Sequence, residues 1–183
     1  MASIGHLAVG MAAARLYSRR VEPSVRPGWT MVLMAALSMV PDLDVVGFKL
    51  GIEYSDPLGH RGVTHSLLFA LTCSVIALAF AKPLKVRPWP LFALVFVVLL
   101  QHPLLDMLTD GGLGCAFFFP SNHRYFFPFT PIPVAPIGRA FLSARGLLVM
   151  GTEAVMFAPF ALYALWPRKS KPAASSAKSS AAL

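Results

Sequence analysis

The chain alternates between apolar runs and short polar joints. The apolar runs extend approximately from Ile4 to Tyr17, Trp29 to Val46, Val63 to Ala81, Trp89 to Thr109 and Gly146 to Trp166. Each of the last four has about 20 residues, the length that an α-helix needs to cross about 30 Å of hydrocarbon. The first is shorter, so we expect a tilted or partly inserted helix there. This pattern predicts an all-α, polytopic transmembrane bundle of four to five helices.

The composition favours the same class. Of the 183 residues, 56% are hydrophobic and 13% are charged, which is typical of integral membrane proteins. The length predicts one domain over residues 1–167. Residues 168–183 are mostly Ala, Ser and Lys, cannot build a core, and are predicted to form a disordered basic cytoplasmic tail. Cys73 and Cys115 form no disulfide framework and no thiolate metal pattern, so we interpret both as packing residues.

The positive charge lies mainly in three joints. The formal net charge is +8, and ten of the sixteen basic residues lie after runs one, three and five. They are Arg19, Arg20, Arg26, Lys82, Lys85, Arg87, Arg168, Lys169, Lys171 and Lys178. If every run crosses, these joints share one side of the membrane, and the positive-inside rule makes that side cytoplasmic. The charge therefore indicates membrane topology, and no nucleic-acid partner is expected.

Ionisable residues that can bind metals occur in four short motifs. These motifs lie at the ends of the apolar runs that are away from the basic joints. An Asp at mid-span costs roughly 2.5 to 3.5 kcal/mol on insertion scales, so such residues persist where something binds them. The motifs contain His6, Asp42 and Asp44 in PDLD, His60 and His65 in HRGVTHS, and His102 and Asp106 in QHPLLDM. The predicted topology places all of them at one level, toward the extracytoplasmic side.

The ligand chemistry predicts a divalent metal. Imidazole and carboxylate without thiolate suit zinc, with manganese or iron as alternatives, and an Asp can bridge two ions. Four His and three Asp exceed the needs of one tetrahedral ion. We therefore expect two ions, or one ion whose imidazoles are oriented by carboxylates. Glu153 lies in an apolar part of run five and needs a partner, either as an additional metal ligand or in an ion pair with Arg139 or Arg145.

Each motif also has a simpler interpretation. His102 and Asp106 are four residues apart on one helical face and could form an ordinary hydrogen-bonded pair. The carboxylates of PDLD end a helix, where the macrodipole disfavours them unless a cation is near, but headgroup water could also solvate them. His60 and His65 could cap a helix, and His6 could be a polar residue at the interface. Together, the motifs favour a metal site.

The motifs resemble the YdjM-type family of bacterial inner-membrane proteins. The resemblance extends from His6 through PDLD, HRGVTHS and HPLLDMLTDGG to RYFFPFTPIPVAPIGRAFLSARGL and Glu153. It implies a metal-dependent hydrolase in the cytoplasmic membrane. This chain has Asp110 and Gly111 where the family more often has Ser-Tyr before the glycine. The ligand order is also faintly similar to the zinc-dependent phospholipase C and single-strand nuclease group, which modestly favours phosphoester chemistry.

The predicted reaction is metal-activated hydrolysis. A bound ion lowers the pKa of its water toward about 7 and polarises the bond under attack. Asp106 is the candidate bridging ligand. The candidate general bases are Asp42, Asp44 and Asp110, and the sequence does not choose among them.

Two arginines and one aromatic segment bear on the substrate. Arg61 and Arg124 are candidates to neutralise a phosphate or an oxyanion, with lipid-headgroup contact as the alternative. The predicted extracytoplasmic loop from Cys115 to Phe141 is rich in Phe and Pro. It could form an aromatic belt at the interface or a lid over the metal site. Either role favours an amphiphilic substrate such as a phospholipid or a polyprenyl phosphate, with the lipid bilayer as partner.

Two other functions use the same residues. A metal or proton transporter would need intramembrane carboxylates and imidazoles, although their position near one face speaks against transport. A non-catalytic membrane protein could use a structural metal site to clamp its helices.

Overall fold

A computed structural model of the chain describes residues 3–167, and these residues are helical with irregular connections. The six α-helices are α1 (Ile4–Leu16), α2 (Pro27–Ser38), α3 (Leu67–Leu78), α4 (Pro88–Asp106), α5 (Ala144–Met156) and α6 (Ala158–Leu165). A π-helical turn follows α1 at Tyr17–Val21, and 3-10 helices occupy Pro41–Leu50, Val63–His65 and Gly138–Leu142. The described residues form no β-sheet, so the predicted all-α class is confirmed.

Local chemistry sets several helix boundaries. Pro27 and Pro88 are the first residues of α2 and α4, where the fixed φ of proline suits a helix and its missing N–H costs nothing. Ser66 is the N-cap of α3, and its hydroxyl oxygen accepts a hydrogen bond from the backbone N–H of Phe69 at 3.0 Å. The loop before Ser66 carries His60 and His65, so this cap also fixes where that loop ends.

Helix α1 lies at the centre of the bundle. It contacts α2, α4, α5 and α6, while α3 packs on α4. Leu94 and Val98 of α4 form a buried cluster with Tyr17, directly after α1, and Leu91 and Leu99 form a second cluster toward α3. Because α1 and α4 carry ligand motifs in their first and last turns, this packing sets the geometry of the site.

Arg15 joins the end of α1 to the end of α6. Its guanidinium donates hydrogen bonds to the carbonyl oxygens of Ala164 and Trp166 and lies 5.9 Å from the ring centroid of Tyr163. A cation at the C-terminus of a helix is favoured by the helix dipole. The buried charge of Arg15 therefore stabilises the docking of α6.

The distribution of polarity is the reverse of that in a soluble protein. Trp29, Val75 and Leu148 are each more than half exposed, as are many other large apolar side chains. By contrast, five acidic or basic side chains among the described residues are at most 1% exposed: His6, His65, His102, Asp106 and Glu153. An apolar exterior around a polar interior is typical of a protein that lipid surrounds.

The helices are less continuous than the apolar runs predicted. Among the described residues, only α4 is long and apolar enough to cross a membrane by itself. Two bent pairs could each make one further span, namely α2 with Pro41–Leu50 at 42° and α5 with α6 at 61°. That makes up to three spans, while α3 is a shorter apolar helix, so the predicted four to five crossings are not confirmed.

The breaks have local causes. Proline lacks the backbone N–H of a helix interior, and Pro41 and Pro159 lie at the two bends. In the third run, the first residues form the 3-10 helix Val63–His65 and the Ser66 cap, which leaves only 12 residues for α3. The predicted tail at 168–183 lies outside the described residues.

Gly10 allows α1 and α2 to approach closely. A Cβ there would lie 2.9 Å from the carbonyl oxygen of Met34 and 3.1 Å from Cβ of Ser38. We expect Gly10→Ala to lower the free energy of unfolding by about 1–3 kcal/mol, because the added methyl must push α2 away. Thermal unfolding in detergent measures this effect. The matched control is Gly151→Ala in α5, where a Cβ meets nothing within 4 Å; equal stability of the two variants would contradict the packing.

Candidate metal centre

Four separate segments bring the predicted ligand motifs to one place. His6 lies in the first turn of α1, and His102 and Asp106 lie in the last turns of α4. Asp42 and Asp44 lie in the 3-10 helix that follows α2, and His60 and His65 lie in the loop that precedes α3. The predicted convergence of these motifs is therefore present in the fold.

The main cluster contains two imidazoles and two carboxylates. One ligand atom each from Asp42, His65, His102 and Asp106 lies within 4.8 Å of the other three. His65 Nε2 is 3.3 Å from Asp106 Oδ2 and 3.6 Å from Asp42 Oδ1. His102 Nε2 is 3.3 Å from Asp42 Oδ1 and 3.8 Å from Asp106 Oδ2. These four groups could hold a metal ion.

His6 adjoins the cluster on the other side of Asp106. Its Nε2 is 3.6 Å from Asp106 Oδ1, and its ring stacks on that of His102 with 3.6 Å between centroids. The two oxygens of Asp106 therefore face different imidazoles, His6 on one side and His65 with His102 on the other. This placement is compatible with the predicted bridging role of Asp106.

The histidine nitrogens that face the cluster lack hydrogen-bond partners. Nε2 of His6, His65 and His102 is buried and lacks a hydrogen-bond partner among the described residues. The opposite nitrogen of His102 donates to the carbonyl oxygen of Ser38 at 2.6 Å, so its Nε2 carries the lone pair. An unpaired buried polar atom costs about 1–3 kcal/mol, whereas a metal-binding histidine usually donates its other nitrogen in this way. The donor set fits a cation.

Asp44 serves as a hydrogen-bond acceptor beside the cluster. Its Oδ1 is 2.6 Å from His60 Nδ1. Its Oδ2 accepts from the hydroxyl of Thr64 at 2.6 Å and from the backbone N–H of Arg61 at 3.1 Å, and lies 3.2 Å from His65 Nδ1. Asp44, His60 and His65 also have possible ligand atoms within 4.8 Å of one another. These hydrogen bonds explain that spacing without an ion.

Arg61 supplies a buried positive charge next to Asp106. Its Nε is 3.3 Å from Asp106 Oδ2, and its other nitrogens donate to the carbonyl of Gly111 at 3.1 Å and to the hydroxyl of Thr109 at 3.2 Å. Burial lowers the pKa of Arg61, but the neighbouring acidic groups, Asp106 first among them, together raise this pKa above its usual value, so the guanidinium stays charged. The backbone of Arg61 has a positive φ of 62°, which its surrounding contacts must enforce.

A cavity of about 390 Å³ opens beside the cluster. Its polar wall includes Asp42, Tyr54, His60, Arg61 and Asp106, and its apolar wall includes Met39, Val45, Val134, Ile137 and Phe141. Burial raises the pKa of Tyr54 above its usual value, so its hydroxyl stays protonated. The lining of the cavity thus combines charged and polar groups, among them two possible metal ligands, with apolar side chains.

Comparison with known proteins identifies the family. The family model described as YdjM inner membrane protein matches residues 1–173. The chain belongs to the YdjM family. The resemblance seen in the motifs is therefore confirmed, and the family name supports a bacterial inner-membrane location.

Two relatives in Escherichia coli (strain K12) illustrate the relationship. The chain is 45% identical over 105 residues to inner membrane protein YbcI, and this match covers 55% of the chain and 59% of YbcI. It is 36% identical over 145 residues to inner membrane protein YdjM, with 70% of each chain covered, and equally similar to YdjM of Shigella flexneri. No solved structure matches the chain. The YdjM-family names describe a membrane location and no reaction.

Arg124 of this YdjM-family chain holds a loop together. Its guanidinium donates to the carbonyl oxygens of His60 at 3.0 Å, Tyr54 at 3.0 Å and Asp56 at 3.1 Å. It also lies 5.7 Å from the ring centroid of Tyr54. These contacts fix the shape of the loop that carries His60, and the predicted binding of an anion by Arg124 stays a prediction.

Asp110 and Glu153 lie outside the groups that could hold an ion. Asp110 is exposed, and its Oδ1 accepts a hydrogen bond from the backbone N–H of Val134 at 2.7 Å. Glu153 is fully buried and accepts from the backbone N–H of Gly5 at 3.3 Å, at the N-terminus of α1. Glu153 therefore stabilises the helix start that carries His6, and metal ligation by Glu153 stays a prediction.

Several contributors to the site had no clear signal in the sequence. The Ser38 carbonyl is a backbone group, and Tyr54 is an isolated aromatic residue in a polar loop. Thr64 lies inside HRGVTHS and could have been found from the motif. Burial raises the pKa of Cys115 to about 11, and its thiol contacts the carbonyl of Pro103 at 3.7 Å, as expected of a packing residue.

Proposed function

We propose that this YdjM-family protein is a membrane-embedded, metal-dependent hydrolase of the bacterial inner membrane. The observation that carries the proposal is the convergence of unpaired, buried imidazole nitrogens with two carboxylates at the wall of a cavity. The ligands are Asp42, His65, His102 and Asp106, with His6 adjoining them through Asp106. Ionisable groups inside a membrane protein cost free energy unless a partner binds them.

A single divalent ion accounts best for the arrangement. The nitrogen and oxygen donors suit zinc, with manganese and iron as alternatives. The second group of possible ligands, Asp44, His60 and His65, is less suited to an ion, because the facing atoms of Asp44 and His60 are already hydrogen-bonded to each other at 2.6 Å. Asp44 instead orients the imidazoles, as carboxylates beside metal-bound histidines commonly do.

The chemistry follows from the surroundings of the cluster. A divalent ion there would lower the pKa of a water molecule and polarise the bond under attack. Asp42 and Asp106 line the cavity, so both carboxylates meet a reactant that enters it. Arg61 lines the same end and brings a fixed positive charge, which favours an anionic group and the negative charge that develops during hydrolysis.

The cavity favours a substrate with an anionic end and an apolar end. Arg61 and two of the proposed ligands line the cavity together with the apolar side chains of Val134, Ile137 and Phe141. A phosphoester of a lipid-like amphiphile, such as a phospholipid or a polyprenyl phosphate, has this polarity. The bilayer around the exposed apolar helices would deliver such a molecule.

The topology belongs to the proposal as well. The basic joints after α1 and between α3 and α4 would face the cytoplasm in a multi-pass arrangement, by the positive-inside rule. The ligand motifs lie at the other ends of the apolar runs. The site would therefore open toward the extracytoplasmic side.

The deciding experiment combines elemental analysis with an activity panel. Protein purified in detergent is expected to contain a bound divalent metal and to hydrolyse phosphoesters or lipid phosphoesters until a chelator is added. We expect His102→Ala to lose both properties, because Nε2 of His102 is a proposed ligand. His123→Ala, an exposed histidine elsewhere in the chain, is the matched control and should keep both.

Other outcomes of this experiment would contradict the proposed hydrolase function. A folded protein without metal would remove its basis. Metal uptake into proteoliposomes without hydrolysis would indicate a transporter. Chelation that unfolds an inactive protein would indicate a structural ion.

A further inference from the structure

We propose that His60 transfers the proton during hydrolysis and that Asp44 positions it, so that His60 is a catalytic residue and not a metal ligand. This inference rests on the proposed hydrolase function. It differs from the interpretation of the sequence, in which both residues are possible ligands. Its basis is the difference between His60 and the other three histidines of the site.

The first observation is the hydrogen bond between the two residues. His60 Nδ1 and Asp44 Oδ1 are 2.6 Å apart, and the side chain of Asp44 is only 3% exposed. Because the second oxygen of Asp44 accepts from Thr64 and from the backbone of Arg61, Asp44 is held in place by its neighbours. An ionised carboxylate is acceptor-only, so in the neutral imidazole of His60 the hydrogen lies on Nδ1 and the lone pair on Nε2.

The second observation concerns that Nε2 atom. Nε2 of His6, His65 and His102 is sealed from solvent and faces a carboxylate oxygen of Asp106. His60 pairs within the described residues with Asp44 alone, and only through Nδ1. His60 also lines the cavity, together with Asp42 and Asp106. Its unoccupied nitrogen is therefore available to a molecule in the cavity.

The third observation is that the ring has a fixed orientation. It packs edge-on against Tyr54 at 5.3 Å and against Phe48 at 6.1 Å between centroids. Arg124 holds the backbone carbonyl of His60 at 3.0 Å. A proton-transferring group must stay within reach of the reacting atoms, and a carboxylate that orients the imidazole serves this purpose in many hydrolases.

His60 accepts a proton from water and later gives it to the leaving group. A water molecule in the cavity gives one proton to His60 Nε2 while its oxygen bonds to the electrophilic atom of the ester. The bond from that atom to the leaving oxygen breaks, and the electron pair stays on the leaving oxygen. His60 then passes the proton to this oxygen. The products are an acid and an alcohol, and the imidazole returns to its neutral form.

The role can be tested without turnover by measuring how each histidine reacts with diethyl pyrocarbonate, followed by peptide mass spectrometry. In metal-loaded protein, we expect His60 to react at a rate that a chelator leaves unchanged. His65 and His102, whose Nε2 atoms are sealed from solvent, should stay unreactive with and without the chelator. Asp44→Asn should slow the reaction of His60 several-fold and leave that of exposed His123 unchanged. Protection of His60 by metal would show that it is a ligand and overturn the proposal.

The catalytic part is tested with His60→Gln in the same detergent preparation. We expect kcat to fall by about 10²–10⁴-fold, the usual contribution of a general acid–base group, with KM and metal content unchanged. The matched control is His123→Gln, which should retain the kcat of the unsubstituted protein. An unaltered kcat in His60→Gln would overturn this proposal and leave the hydrolase intact. A wild-type protein without chelator-sensitive hydrolysis would overturn both.

Discussion

Asp106→Asn is expected to abolish metal binding and hydrolysis. Asp106 Oδ2 lies 3.3 Å from His65 Nε2, and Oδ1 lies 3.6 Å from His6 Nε2, so this carboxylate adjoins imidazoles on both sides. An amide presents a neutral oxygen and an N–H group, which cannot replace an anionic ligand. Loss of an outer partner alone weakens metal affinity by about 10–100-fold. We therefore expect more than a 100-fold loss, measured by metal titration in detergent.

The substitution also leaves Arg61 without its carboxylate partner, so the fold needs a separate check. His102→Gln removes a ligand without touching Arg61 and should lose metal in the same way. Asp56→Asn is the matched control, because Asp56 is exposed and its carboxylate accepts a hydrogen bond from the backbone N–H of Leu58 at 2.8 Å, away from the cluster. If folded Asp106→Asn and His102→Gln both bound metal as tightly as the control, the result would contradict the proposed metal centre.

Asp44→Ala is expected to damage both stability and metal affinity. The change removes the acceptor for the Thr64 hydroxyl, the Arg61 N–H and the His60 Nδ1. Each unsatisfied buried donor costs about 1–3 kcal/mol, so the free energy of unfolding should fall by more than about 3 kcal/mol. Because His65 also loses an orienting partner, metal affinity should fall by about 10–100-fold. Thermal unfolding and metal titration measure the two effects.

A comparison of variants separates these effects. Asp44→Asn keeps one acceptor oxygen and should lie between Asp44→Ala and the unsubstituted protein in stability. Asp56→Ala, the same change at an exposed carboxylate, should cost no more than about 1 kcal/mol. A complete loss of metal in a folded Asp44→Asn variant would indicate that Asp44 binds the ion directly.

The helical class was predictable because it depends on local pattern. Apolar runs of about 20 residues, with prolines and basic residues between them, predict helices without knowledge of any contact. The positions of the breaks were harder to predict. The apolar run was predicted to begin at Val63, but Val63–His65 form a 3-10 helix and Ser66 is the N-cap of α3. Hydropathy therefore overestimated the length of α3.

The site residues were predictable as a set but not in their individual roles. Their ionisable side chains in apolar surroundings indicated a shared partner, and the family resemblance pointed to the same residues. Asp42 and Asp44 are two positions apart and chemically identical in the sequence. In the fold, Asp42 faces two imidazole Nε2 atoms, whereas Asp44 accepts hydrogen bonds from the loop.

The sequence by itself determined that this protein is an all-α member of an inner-membrane family with histidine and aspartate motifs that can bind a cation. The helical class and the motifs follow from residue types and their spacing along one chain. Only the tertiary structure decided which nitrogen of His60 is occupied, that the Ser38 carbonyl orients His102, and that a cavity with an apolar wall adjoins the cluster. These features depend on the rotation of side chains and on contacts between residues distant in sequence, and spacing along the chain does not encode either one.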